Sequence, residues 1–139
     1  VRALGRARLA LDGRDALSCG LDVLLQQTLA KLSYHPQVRR AVEAELLQGS
    51  TRMLACAVRE TVRLHPGPGA RVPHQAWRHP QAFDPSRFAD DTRSSALEQV
   101  AVEVLAVVLT KVRVDVRAGF KARAGCGLEV RVTPRSSAP

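Results

Sequence analysis

The chain has 139 residues, of which 45% are hydrophobic, and it carries a formal net charge of +8 at pH 7. This length is typical of one domain, and no apolar run is long enough for a transmembrane segment. Arginine supplies 18 of the 21 basic residues. The charge favours an acidic partner, a nucleic acid or an anionic membrane surface, although a coding bias toward arginine explains it equally well. No nucleic-acid-binding motif with interleaved aromatic residues is present.

The cysteines and histidines do not form a metal-binding pattern. Cys19, Cys56 and Cys126 lie far apart, and no Cys-x-x-Cys pair occurs. His74 and His79 have no matching cluster of cysteines or carboxylates, whereas a closed zinc site needs four ligands. The pattern therefore argues against a structural zinc site or a disulfide framework, and it favours a reducing compartment.

Leucine, valine and alanine recur at helical spacing through the first half of the chain. They predict helices over residues 15–34, 36–48 and 51–65. Pro36 suits the first position of the second helix, and Ser50 or Thr51 is a candidate N-cap of the third. The inward positions of the second helix are Val38, Val42, Leu46 and Leu47. Those of the third helix are Leu54, Ala57, Val58, Thr61 and Val62.

The second half begins with an extended connection over residues 66–95, which is rich in proline and glycine and lacks periodicity. Residues 95–111 then predict a fourth helix, and residues 112–133 contain two alternating runs typical of a β-hairpin. The apolar positions that indicate the fourth helix are Leu97, Val100, Ala101, Val104, Leu105, Val108 and Leu109. The predicted fold class is mainly α with a small C-terminal β-hairpin, in a single partial domain over residues 1–139.

The most distinctive stretch is RETVRLHPGPGARVPH, residues 59–74, in which Glu60 and Arg63 lie three residues apart just before a Pro/Gly loop. Such a spacing by itself is typical of a surface ion pair on a helix. The surrounding LACAVRETVRLHP, however, resembles the K helix of the cytochrome P-450 family, whose hallmark is Glu-x-x-Arg followed by Leu-His-Pro.

Further segments resemble the same family in the same order along the chain. LSYHPQVRRAVEAEL is similar to the end of the I helix and the J helix, and HPQAFDPSRF to the segment before the haem loop. ALEQVAVEVLAVVLTKVRVDV resembles the L helix with its following strand, and GLEVRVTPR the C-terminal hairpin. The resemblance covers most of residues 16–135 and implies an abridged C-terminal part of the cytochrome P-450 fold.

The resemblance also implies roles for particular residues. In the family, the Glu and Arg of the K helix form a buried network with a later Arg, which here is Arg87. Arg71 matches a position that often contacts a haem propionate. The implied cofactor is haem, and the implied activity is monooxygenation of a lipophilic substrate. ARVP is similar to the animal mitochondrial branch, which implies a sterol-like substrate, an acidic ferredoxin-type redox partner and the matrix side of the mitochondrial inner membrane.

The chain departs from the family at the residues that carry the chemistry. The family's haem loop, Phe-Gly-x-Gly-x-Arg-x-Cys-x-Gly, supplies the thiolate on the haem iron, but here the corresponding span reads ADDTRSSALEQ. Cys126 follows the L-like helix, so its place in the order does not match a haem ligand. Asp22 is a remnant of the oxygen-activating motif, but Val23 stands where the family has an alcohol, and valine has no hydrogen-bonding group.

Three hypotheses follow. The first is a truncated or internally deleted cytochrome P-450-like chain that does not catalyse the family's reaction and does not retain haem. On this hypothesis the basic face of the K-like helix, including Arg59, suits the acidic ferredoxin. The alternative is a non-enzymatic basic helical interaction module, such as a regulatory splice product. The third is a product that scarcely folds.

Overall fold

The computed structural model describes residues 16–65, 78–91, 93–116 and 129–135. The helices are α1 (Ala16–Tyr34), α2 (Pro36–Leu47), α3 (Arg52–Leu64) and α4 (Ala96–Lys111). A short 3₁₀ helix spans Pro85–Phe88, within the predicted connection, and two strands follow α4, β1 (Val112–Val116) and β2 (Val130–Pro134). The prediction of a mainly α fold with a small antiparallel β-hairpin is confirmed. None of the helices described has the length and apolar character of a membrane span.

Local sequence signals account for where the helices begin and end. Pro36 occupies the first turn of α2, where its missing N–H is not needed. Ser95 caps α4 in a capping box, since its hydroxyl accepts from the Glu98 N–H at 3.2 Å and its own N–H donates to the Glu98 carboxylate at 2.9 Å. A different group caps α3: Glu45 of α2 accepts from the Met53 N–H at 2.7 Å.

The prediction of Thr51 as an N-cap of α3 is confirmed in position, but the Thr51 side chain makes no capping hydrogen bond. The Arg52 N–H donates to the Ser50 hydroxyl, but at 3.4 Å this hydrogen bond is long. A charged oxygen is the stronger acceptor, and Glu45 reaches the same turn from α2 because Gly49, at φ 80°, turns the chain back sharply.

The core lies between the four helices. Its buried members are Leu24, Leu32, Val42, Leu54, Ala57, Val58, Ala101, Leu105 and Leu109. One predicted inward position is wrong: Leu47, the last residue of α2, is 85% exposed, whereas the preceding Leu46 packs against the core. Two of the apolar residues that indicate α4 lie on its outer side, since Val100 is 43% and Val104 37% exposed.

The hairpin packs one face against the helices. Val112, Val114 and Val116 pair with Pro134, Val132 and Val130, so these six residues share one face of the sheet. Val114 and Val116 are buried, and the Val116 N–H donates to the Ser33 hydroxyl of α1 at 3.1 Å. On the other face, Asp115 accepts from Arg39 of α2 at 2.7 Å, which ties β1 to the helices through a polar contact as well.

Replacing Asp115 by Asn should make the free energy of unfolding fall less between neutral and acidic pH. Burial raises the pKa of the Asp115 carboxyl, but hydrogen bonds from Arg39 and Arg113 outweigh it and hold the pKa below its usual value. A lowered pKa contributes stability that is present above about pH 4 and is lost as the pH falls through the folded-state pKa. Urea unfolding at neutral pH and at about pH 3 should show a smaller difference for D115N than for the wild type.

The control is Asp90→Asn, which removes an exposed carboxylate before α4. It should keep the pH dependence of the wild type. A D115N chain whose free energy of unfolding depends on pH as the wild type does would contradict a stabilising role for the Arg39–Asp115 pair.

Candidate functional site: a buried carboxylate between two guanidiniums

Glu60 and Arg63 lie one turn apart on α3 and are both buried. Glu60 has no exposed surface, and Arg63 is 4% exposed. The Arg63 Nε donates to the Glu60 Oε1. A surface ion pair at this spacing leaves both groups in water, so the pair belongs to the interior of the protein and not to a solvated helix face.

Arg87 approaches the same carboxylate from the 3₁₀ helix. Its Nε lies 3.2 Å from the Glu60 Oε2, and its side chain is 7% exposed. Asp84 begins that 3₁₀ helix by accepting from the Ser86 N–H at 3.1 Å, and Pro85 occupies its first turn. The structure thus brings together Glu60, Arg63 and Arg87, the three residues for which the resemblance implies a network.

Backbone carbonyls of residues 78–82 complete the network. Arg63 donates to Pro80 O at 2.7 Å and to Ala82 O at 3.1 Å. Arg87 donates to Arg78 O, and to His79 O at 2.6 Å. His79 has a φ of 51°, an unusual value for a residue with a side chain, and it turns the backbone so that successive carbonyls reach the two guanidiniums. These carbonyl partners are invisible in the sequence because any residue type supplies them.

The electrostatics of the network suit a structural role. Burial raises the pKa of the Glu60 carboxyl, and the adjacent Arg63 and Arg87 guanidiniums act in the opposite direction. Both carboxylate oxygens face a guanidinium nitrogen. A fully buried carboxylate between two guanidiniums suits a structural role, which is to fix residues 78–88 against α3.

A second contact joins α3 to the same segment, and its residues were not predicted as a unit. The Arg59 guanidinium lies 4.5 Å from the centre of the Phe88 ring. It also donates to the Asp91 carbonyl and lies near the Asp91 carboxylate, each at 3.1 Å. Two turns earlier in α3, Arg52 donates to Ala89 O at 2.9 Å. In the sequence these are two arginines seven residues apart, a spacing that does not reveal their partners.

The sequence predicts Arg59 on a basic helix face that binds an acidic ferredoxin. Its guanidinium is committed to Phe88 and Asp91, and its side chain is 17% exposed. An acidic protein partner would have to displace these contacts before Arg59 could bind it. Arg59 is therefore better explained as an internal clamp of α3 than as part of a docking face.

The remaining predicted site residues are not joined to this network. Asp22 lies half-buried on α1, and no contact described links it to Glu60, Arg63 or Arg87. Arg71 and Cys126 lie outside the described residues. A groove of about 260 Å³ opens between the first halves of α3 and α4, and three of the eight residues that line it, Arg59, Glu98 and Glu103, are charged. Charged side chains in the lining do not suit a lipophilic substrate.

Among the described side chains, the cysteine that can be tested as a haem ligand is Cys56. Cys56 lies on α3 and is 7% exposed, and burial raises the pKa of its thiol, which favours the neutral form over a thiolate ligand. We therefore assign the Glu60 network no step that passes through haem.

Comparison with known protein families, with curated proteins and with solved structures finds no match to this chain.

Replacing Glu60 by Gln should lower the free energy of unfolding by about 3–5 kcal/mol, because it leaves two buried guanidiniums without their carboxylate. Thermal or urea unfolding monitored by circular dichroism measures this loss. The matched control is Glu43→Gln: the Glu43 side chain is 24% exposed and pairs with Arg39 at 3.7 Å and Arg135 at 3.2 Å. We expect a cost of about 1 kcal/mol or less for E43Q. Equal losses in the two variants would show that the Glu60 network is not exceptional.

Proposed function

We propose that this chain is a truncated or internally deleted relative of the haem-thiolate monooxygenases of the cytochrome P-450 family, one that keeps the scaffold of the haem site without its catalytic ligand. The observation that carries the proposal is the buried contact of Glu60 with both Arg63 and Arg87. The family resemblance implies this contact from motifs 20 or more residues apart in the sequence. A chance match of short motifs has no reason to bring those residues together.

The surroundings of the network support the same proposal. Glu60 has no exposed surface, so the alternative of a routine surface pair does not account for it. The order of elements also suits an abridged C-terminal part of that fold, with three helices, a segment clamped to the third, a fourth helix and a hairpin. Each feature is common alone, and their combination is what the proposal rests on.

The proposed chain is catalytically incompetent. In the family a Cys thiolate on the haem iron promotes cleavage of the O–O bond. Cys56 does not suit that role, since it is buried on α3 with a raised pKa. Asp22 is followed by Val23, which lacks the alcohol that the family uses beside the acid. The mitochondrial location and the sterol-like substrate belong to the family resemblance and to a full-length relative.

Spectroscopy of the reduced, CO-treated protein tests this incompetence. The purified chain, incubated with haemin and then reduced under CO, should show no absorbance band typical of a thiolate-bound haem, whereas an intact cytochrome P-450 treated alike should show it. The variant Cys126→Ser identifies the source of any band. A band present in the wild type and absent from C126S would overturn the proposal that the chain lacks a haem ligand.

The family relationship itself needs a different measurement. We expect the gene to encode a Cys-bearing haem loop close to the codons for residues 88–95, omitted from this product by splicing or deletion. Sequencing of the gene and its transcripts around this point decides the matter. A gene without such a segment, and without an upstream region encoding the rest of the fold, would contradict a truncated family member.

A second candidate function, a basic interaction module, is favoured by the distribution of charge. The described ranges hold 13 of the 21 basic and 11 of the 13 acidic residues, a net charge of +2 against +8 for the whole chain. Most of the excess therefore falls on residues 1–15, 66–77 and 117–128. On this hypothesis those segments, and not the helical faces, bind an acidic protein or RNA.

Binding over a salt series tests the electrostatic hypothesis. The affinity for an acidic ferredoxin or for RNA should fall steeply with ionic strength, because contacts between exposed charges are screened. A variant with Arg117, Lys121 and Arg123 replaced by Gln should bind more weakly. The control replaces Arg59 by Gln; it should affect stability more than affinity, because Arg59 is committed to Asp91 and Phe88. Salt-independent binding would contradict the hypothesis.

A further inference from the structure

The β-hairpin has an open edge with defined hydrogen-bonding groups. Within the part of the chain that the structure describes, the sheet has two strands, and β2 pairs only with β1. Every residue of β2 is exposed except Val132, which is half-buried. An unpaired strand edge of this kind is a template for a further strand.

The ladder determines which β2 groups point outward. The Arg135 N–H donates to Lys111 O, which makes Lys111 and Arg135 a hydrogen-bonded pair just beyond the strands. Hydrogen-bonded pairs alternate in an antiparallel ladder, so Arg131 and Thr133 direct their backbone groups toward β1. Val130, Val132 and Pro134 direct theirs away from β1.

A contact on the far side of β1 supports this assignment. Val116 belongs to the same alternate set as Val112 and Val114, and its N–H points out of the ladder to the Ser33 hydroxyl of α1 at 3.1 Å. The outer edge of β1 is thus covered by α1 at this point. The outer edge of β2 has no such cover among the described residues.

We propose that the edge of β2 pairs antiparallel with β2 of a second copy, centred on Val132. In this register Val132 exchanges both of its backbone hydrogen bonds with Val132 of the partner subunit. The Val130 N–H donates to the carbonyl of the partner subunit's Pro134. Because proline has no N–H, the return hydrogen bond to the Val130 carbonyl is absent, but only at the two ends of the paired segment. The register uses every outward N–H of β2 and is its own image under a two-fold axis.

The side chains of β2 are compatible with the same register. Val130, Val132 and Pro134 extend the valine face of the sheet, and pairing covers Val130, which is 37% exposed. On the polar face Arg131 stands opposite Thr133 of the partner subunit, so no like charges are directly opposed. A contact of this length is small, and we expect a weak, concentration-dependent dimer.

Sedimentation equilibrium tests the pairing over protein concentrations from about 5 to about 500 µM, a range suited to a small interface. The wild-type chain should shift from monomer to dimer. Val132→Pro removes the outward N–H that the hairpin itself does not use, and proline is tolerated on a strand edge facing solvent. V132P should therefore remain monomeric with an unchanged circular dichroism spectrum, whereas the control V132T, which keeps the N–H, should still dimerise.

A second variant keeps the test decisive if V132P fails to fold. Val130→Lys places a charge on the exposed end of the edge, which disfavours strand pairing, and should also be monomeric. Hydrogen exchange adds a residue-level measurement: the Val130 and Val132 amides should be protected only at high concentration. A wild type that stays monomeric over the whole concentration range would overturn the proposal, and the edge of β2 would then be open only to a strand of another protein. So would a V130K or folded V132P chain that still dimerises.

Discussion

The architecture depends on burying one carboxylate, Glu60, where water cannot reach it. An ionised carboxylate in the interior is destabilising unless charge and hydrogen bonds replace its hydration. Two guanidiniums supply the opposite charge, one from α3 itself and one from the 3₁₀ helix. Backbone carbonyls of residues 78–82 accept hydrogen bonds from the remaining nitrogens of these guanidiniums. This requirement is specific, because a small displacement of the segment would leave several buried polar groups without partners.

The position of α3 explains why this one network matters for the whole chain. One side of α3 packs Leu54, Ala57 and Val58 into the helical core, and the opposite side holds residues 78–91 through the Glu60 network and the Arg59 contacts. Residues 78–91 lead directly to α4, whose Ala101, Leu105 and Leu109 return to the same core. The polar clamp and the apolar core therefore stabilise one another: each orders the elements that the other needs.

The sequence was informative about elements and less so about their environments. Helical spacing located all four helices to within a residue or two, because buried leucines and valines recur where the core requires them. The same spacing does not distinguish the two sides of α4, since the exposed Val100 and Val104 look identical to inward apolar residues. Glu60 shows the converse problem: the pattern of charges around it is typical of a surface, and only the family resemblance indicated burial. The carbonyl acceptors, the Glu45 cap and the Arg59–Phe88 contact depend on tertiary structure and leave no pattern in the sequence.

The buried Glu60 carboxylate is balanced by guanidiniums of α3 and of the 3₁₀ helix. Each of the three nitrogens of Arg63 donates to an oxygen of the protein. Both terminal nitrogens of Arg87 donate to backbone carbonyls, and its Nε lies 3.2 Å from the Glu60 Oε2 as an ion pair without the geometry of a hydrogen bond. The network therefore stabilises the contact between α3 and the 3₁₀ helix through charge as much as through directed hydrogen bonds.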